Sequence, residues 1–179
     1  MTWLNNLFGE KGKKMSALIA GTAAPSFELP ATDGSTFSLP EALARGPVLA
    51  VFFKVSCPVC QYAFPYFERI YKTYGGKKVS IVGISQNDKP DSAAFLKKYG
   101  VTFPVLRDDP KTYPASNAYG LTNVPTAFWI SEGGVIEISS VGWSRQEFEE
   151  MARKAASATG TPPSPVFQPT EQIANFRPG

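Results

Sequence analysis

The chain holds two cysteines and no more, three positions apart in Cys57-Pro58-Val59-Cys60. Thiols at this spacing suit one chemistry above others. A thiolate at one cysteine attacks a disulfide, and the thiol a helical turn away resolves the product. The apolar run Val48-Leu49-Ala50-Val51-Phe52-Phe53 precedes the pair and reads as a buried strand. A helical pattern rich in aromatic residues follows at once. The pair therefore stands where a strand hands over to a helix, and the positive end of a helix favours a thiolate. Pro58 suits the first helical position. The free amides of that turn are expected to point at the Cys57 sulfur. Lys54, three residues earlier, is either a source of further positive potential at Cys57 or a plain solvated lysine. A silent pair of small buried side chains is the bland alternative. The direction of exchange is open, because related centres span about −270 to −120 mV.

Composition removes other chemistries. There is no histidine among the 179 residues, so His-based triads, Cys-His pairs and His metal sites are excluded. Two thiols cannot complete a four-ligand zinc site alone, and no metal or other cofactor is expected. The net charge of +3 is mild, and no basic stripe interleaved with aromatics suggests nucleic acid. An apolar fraction of 43% with 18% charged residues is that of a folded domain.

The elements that must position the pair follow from periodicity and turn residues. Phe27-Glu28-Leu29 and Thr36-Phe37-Ser38-Leu39 around Asp33-Gly34 predict a hairpin. A first central strand runs from Pro47 to Lys54, and a helix from Pro58 to about Tyr74, with a kink expected at Pro65. Val79 to Ile84 is the next strand, and a helix spans about Asp91 to Tyr99. Phe103 to Leu106 is a short strand, at an edge or beginning at its proline. A short helix over Tyr113 to Tyr119 follows, then strands over Thr126 to Ser131 and Val135 to Val141 joined at Gly133-Gly134. The last helix opens at Ser144, with Glu147 completing a capping box, and runs to about Ser157. This order predicts an α/β fold with a central mixed sheet flanked by helices. Phe52, Phe53, Phe64, Phe67 and Trp129 are expected in the core. Gln86, Asn87 and Asp88 end a strand on the expected active side and read as a solvated loop.

Residues 20–158 form the expected domain. Residues 1–19 read as a tail, with Met15 an alternative start. The spacing of Trp3, Leu4, Leu7 and Phe8 before Lys11, Lys13 and Lys14 also fits a weak membrane contact through residues 1–14, or an unusual export signal. No convincing signal is seen, so the cytoplasm is expected, with membrane association or export as alternatives. Residues 159–179, opening on Thr161-Pro162-Pro163-Ser164-Pro165, read as an extended and loosely packed Pro-rich tail.

Three pieces of the sequence together resemble the thioredoxin superfamily. They are the strand–C-x-x-C–helix junction, Asn123-Val124-Pro125-Thr126 ahead of a strand, and the hairpin opened by Gly21-Thr22-Ala23-Ala24-Pro25-Ser26-Phe27. The hairpin is similar to the redoxin branch, which holds the peroxiredoxins (AhpC/TSA) and the TlpA-type thiol-disulfide oxidoreductases. The resemblance implies a thioredoxin-like fold with an N-terminal hairpin extension. It implies that Cys57 is the exposed nucleophile and Cys60 the buried resolving thiol. Pro125, expected cis, would pack beside the sulfurs and free the backbone of Val124 to pair with substrate, with Pro58 and Val59 flanking. Protein thiols and disulfides would be substrates, and a dithiol the electron donor.

The chain also departs from that pattern. Val51 stands where thioredoxins place a buried acid, and Ala63 where TlpA-type proteins often have Glu. If Cys60 took the place of the peroxidatic cysteine of peroxiredoxins, Phe53 and Cys57 would fall in their Pro and Thr slots, and no Arg stands at 123–126. Thiol-disulfide exchange is the leading expectation. A thiol-dependent peroxidase with antioxidant activity and a non-catalytic redoxin-fold binding module are the alternatives.

Overall fold

The computed structural model describes residues 16–76 and 78–179; the expected membrane contact through residues 1–14 lies outside them. Its frame is a five-stranded sheet built on β3 (Val48–Phe53), whose six residues are all buried. An unbroken apolar strand is what a position covered on both faces demands. β3 pairs in parallel with β4 (Ser80–Ser85), from Val48↔Ser80 to Phe53↔Ser85. On its other side it pairs antiparallel with β6 (Thr126–Ile130), from Val48↔Ile130 to Phe52↔Thr126. β5 (Val105–Arg107) and β7 (Ile136–Val141) are the edges, giving the order β5-β4-β3-β6-β7. The antiparallel register has a direct consequence. The end of β3 that leads to Cys57 lies beside the start of β6 that follows Pro125.

Two apolar layers enclose the sheet. One holds Val51, Phe53 and Trp129 against α2 (Pro58–Tyr74), α3 (Lys89–Tyr99) and α5 (Arg145–Thr159), through Phe64, Phe67, Phe95 and Phe148. The other packs Phe52 and Phe128 against the hairpin of β1 (Glu28–Pro30) and β2 (Thr36–Ser38), α1 (Leu39–Leu43) and Tyr119 after α4 (Pro114–Ala118). The five aromatics expected in the core are all buried.

Several boundaries differ from the sequence expectation. α3 begins at Lys89 because Asp88 caps it, accepting from the Asp91 amide at 2.9 Å, and Pro90 is tolerated in a first turn. α1 was not expected; five residues are too few to show a helical period. α2 continues through Pro65 without a break. β5 begins after Pro104 and lies at an edge.

The loosely packed tail is overturned. Residues after Gly160 are extended, but they are pinned along α2. The amide of Ser164 donates to the Tyr74 hydroxyl at 2.9 Å. The Arg69 guanidinium donates to the Val166 carbonyl at 2.9 Å and grips Glu171 at 2.8 and 2.5 Å. Trp143 Nε1 donates to the Ala174 carbonyl at 2.8 Å, and the Ala174 amide to the Tyr62 hydroxyl at 3.1 Å. Finally β9 (Phe176–Arg177) pairs antiparallel with β8 (Trp143–Ser144). Each anchor is a single residue meeting a distant partner, which local periodicity cannot register.

Candidate active site

Cys57 is the N-cap of α2, with extended backbone (φ −79°, ψ 117°) and Pro58 in the first turn. Its Sγ accepts from the Cys60 amide at 3.2 Å. An N-cap side chain that accepts from the third helical amide is the usual way to satisfy a donor left free at a helix start. Here the acceptor is sulfur rather than oxygen. The Cys57 thiol also lies 3.3 Å from the Val124 carbonyl, to which it donates. The Val124–Pro125 peptide is cis, and Pro125 is buried while Val124 is half-buried. The loops before Cys57 and around Pro125, brought together by the β3–β6 register, thus meet at the sulfur.

Cys60 is fully buried, and both thiols are free. Burial, then the neighbouring Cys57 thiol, pushes the Cys60 thiol well above its usual range. Its surroundings explain this. Leu49, Val51, Ala63 and Phe64 share its apolar cluster, so the two positions where an acid could have stood contribute only hydrocarbon. Glu68, also buried on α2, is eight residues further on, about 12 Å along a helix axis. Its carboxylate is committed elsewhere, accepting from the Thr102 amide at 2.8 Å, the Thr102 hydroxyl and the Phe103 amide at 3.4 Å.

Pro58 is exposed and Val59 half-buried, so both flank the half-exposed sulfur. Lys54 is exposed, and its ammonium lies 5.7 Å from the centre of the Tyr113 ring. It lines a hollow of about 270 Å³ with Gln86, Tyr113, Asn117, Asn123 and Val124. Gln86 and Asn87 do more than the solvated loop expected of them. Gln86 Nε2 donates to Ser116 Oγ at 2.8 Å, and Asn87 Oδ1 accepts from the Val55 amide at 3.0 Å. Gln61 Nε2 donates to the Val55 carbonyl at 2.9 Å, so the loop before Cys57 is held from both sides. Gln61 and Gly142 escaped the sequence reading. The Gly142 amide donates to the Pro125 carbonyl at 2.7 Å, a contact only the folded chain reveals. Among the described residues, no three or more of His, Cys, Asp and Glu gather where a metal could bind.

The arrangement can form and break one disulfide. An outer sulfur held at a helix start has a buried sulfur one turn behind it, beside the backbone of the Val124 loop.

Comparisons with known proteins agree with that chemistry. A thiol-disulfide oxidoreductase ResA of Halalkalibacterium halodurans is 29% identical over 151 residues, covering 83% of this chain and 82% of its own. The ResA of Bacillus thuringiensis subsp. konkukian is 30% identical over 137 residues, or 75% and 77% of the two chains. Among solved structures, a thiol:disulfide interchange protein of the thioredoxin family from Chlorobium tepidum superposes with a TM-score of 0.64 at 30% identity. It covers 75% of this chain and 95% of its own. Among the described residues no helix is long and apolar enough to cross a membrane. The expected cytoplasmic location finds no support in these relatives. The sequence model of the AhpC/TSA family matches residues 20–139, and the chain belongs to that family.

Proposed function

We propose that this protein is a thiol-disulfide oxidoreductase in which Cys57 and Cys60 exchange electrons with protein disulfides. The observation that carries the reading is Cys57 Sγ itself. It caps a helix start through the Cys60 amide and borders Val124 at the mouth of the site. In the reducing direction the Cys57 thiolate attacks one sulfur of a substrate disulfide. A mixed disulfide forms and one substrate sulfur leaves as thiolate. Cys60, once deprotonated, attacks Cys57 Sγ and expels the second substrate thiolate. Two electrons have then passed to the substrate, and the chain carries a Cys57–Cys60 disulfide. A dithiol donor of the same chemical class reverses the steps and restores the thiols.

Pro125 packs beside the sulfurs in this reading, and the Val124 backbone, with Pro58 and Val59 at its flank, receives the substrate segment. Lys54 is assigned as a modest electrostatic aid to the Cys57 thiolate. Lys54→Gln should slow attack about twofold to threefold, an effect that shrinks as salt rises to screen it. An exported or membrane-held location is the reading taken over the cytoplasm, which finds no support, and cell fractionation tests it.

The test of the function is a trap. Cys60→Ser should accumulate mixed disulfides through Cys57 with protein partners, resolved on adding a reductant. Rapid peroxide consumption with sulfenic acid on one cysteine and no trapped partner would instead establish the peroxidase reading. Partner binding that survives replacement of both cysteines would establish a non-catalytic module.

A further inference from the structure

Residues 175–179 lie across the edge that the proposed function needs open. The Asn175 carbonyl accepts from the Arg145 amide at 2.9 Å. Phe176 and Arg177 pair with Ser144 and Trp143 in β8. The Arg177 guanidinium stacks 3.9 Å from the centre of the Tyr62 ring on α2. The Gly179 oxygen accepts from Asn123 Nδ2 at 3.0 Å. Gly179 is also so close to the loop that a Cβ there would meet the Val124 carbonyl oxygen at 2.8 Å. That is the oxygen the Cys57 thiol contacts.

We propose that residues 175–179 occupy the substrate groove, and that the partner this groove accepts is an extended, unstructured segment of a disulfide-bearing protein that takes their place along β8 and Val124. The inference rests on the reading of Cys57 as the exchange thiol.

The contacts suit an exchangeable occupant. Pairing with β8 runs through backbone groups, so it places little demand on the identity of the incoming side chains. Phe176 is 61% exposed and adds little burial. Among the described residues, the side-chain holds on 175–179 are one cation–π stack and one hydrogen bond from the Asn123 side-chain amide. The strong anchors stop just before, at Glu171 and Ala174. The chain can therefore lift beyond Ala174 while the rest stays docked. A groove free only part of the time weakens apparent substrate affinity by the fraction that is free.

The experiment compares the full chain with a chain shortened after Ala174 and with full-length Arg177→Ala. Each is reduced, then mixed with a disulfide-linked unstructured peptide and, separately, with a small aromatic disulfide that needs no groove. The expected result is a rise in kcat/KM for the peptide of roughly threefold to tenfold in both variants, because the occupied fraction is relieved. The small disulfide should change much less. A synthetic Ile-Ala-Asn-Phe-Arg-Pro-Gly peptide, matching residues 173–179, should compete with the peptide substrate on the shortened chain. Unchanged or slower peptide turnover in Arg177→Ala, with no competition by the synthetic peptide, overturns the proposal. Failure of either disulfide to react with any of the proteins sinks the exchange reading itself.

Discussion

The first turn of α2 and the rest of that helix are built on opposite plans. The first turn carries Cys57 with one amide and one carbonyl at its sulfur, and Cys60 among hydrocarbon. From Tyr62 onward the helix is crowded with partners. Tyr62 and Tyr66 stand against Trp143 at ring distances of 5.1 and 5.4 Å, and Phe148 lies 5.0 Å from the same indole. Phe167 from the trailing segment closes on Tyr66 and Phe148 at 5.4 and 5.3 Å. The lesson is a division of labour. Stability is gathered away from the proposed chemistry, and the Cys57 sulfur is left with few contacts to lose were it to change partner.

Substitutions should separate the two plans. Cys57→Ser should abolish exchange, while serine, a favoured N-cap, keeps stability within about 0.5 kcal/mol. Steady-state disulfide reduction and urea unfolding check the pair, and a large stability loss would break the contrast. Phe148→Ala should do the reverse. Emptying that fully packed site should cost about 3–5 kcal/mol in unfolding, with the chemistry at Cys57 unchanged in the molecules that remain folded.

The third test concerns Cys60. Burial holds its proton in the folded chain, so a mixed disulfide at Cys57 is expected to resolve slowly for want of thiolate. Stopped-flow release of the reduced substrate should rise about tenfold per pH unit through the alkaline range while thiolate remains the minor form. A plateau near neutral pH would mean that some group draws the proton off. Stability of the reduced protein should carry the same signature. A raised folded value means that the contribution is complete below the unfolded thiol value of about 8.5 and fades as pH climbs past it.

The smallest effect lies at the far side of the helix. Arg69 first, then the Gln168 amide, holds the Glu171 carboxyl down to about 2. Its ordinary value is 4.5. A lowered folded value means that its support is complete above pH about 4.5 and is lost as pH falls towards 2. Glu171→Gln should therefore lower stability slightly at pH 6, and the difference should shrink as pH falls towards 2, in matched unfolding curves. Exchange at pH 6 should be unaffected.

The centre of the site was legible from the sequence because it is local. Cys57, Pro58 and Cys60 are consecutive features of one junction, and Val124-Pro125 is a motif with its own signature. The strands were legible for the same reason, since β3 is apolar throughout and Gly133-Gly134 marks the turn between β6 and β7 openly. What escaped was carried by long-range single contacts. Nothing local tells Asn87 to hold Val55, Gly142 to meet Pro125, or Arg69 to reach Glu171. The Pro-rich run after Gly160 does predict extension, but extension is compatible with docking once Tyr62, Tyr66 and Trp143 present a surface. β8 and β9 are two residues each, too short for any alternation to appear.

The Glu68 carboxylate has a mechanical consequence. By gripping the Thr102–Phe103 backbone it bolts the middle of α2 to the loop that precedes β5. The helix is then a beam clamped partway along, with Cys57 at its leading end. Ten residues, Pro58 to Phe67, lie ahead of that clamp. An adjustment between dithiol and disulfide is expected in that stretch, where a partner that distinguishes the two redox forms would meet it.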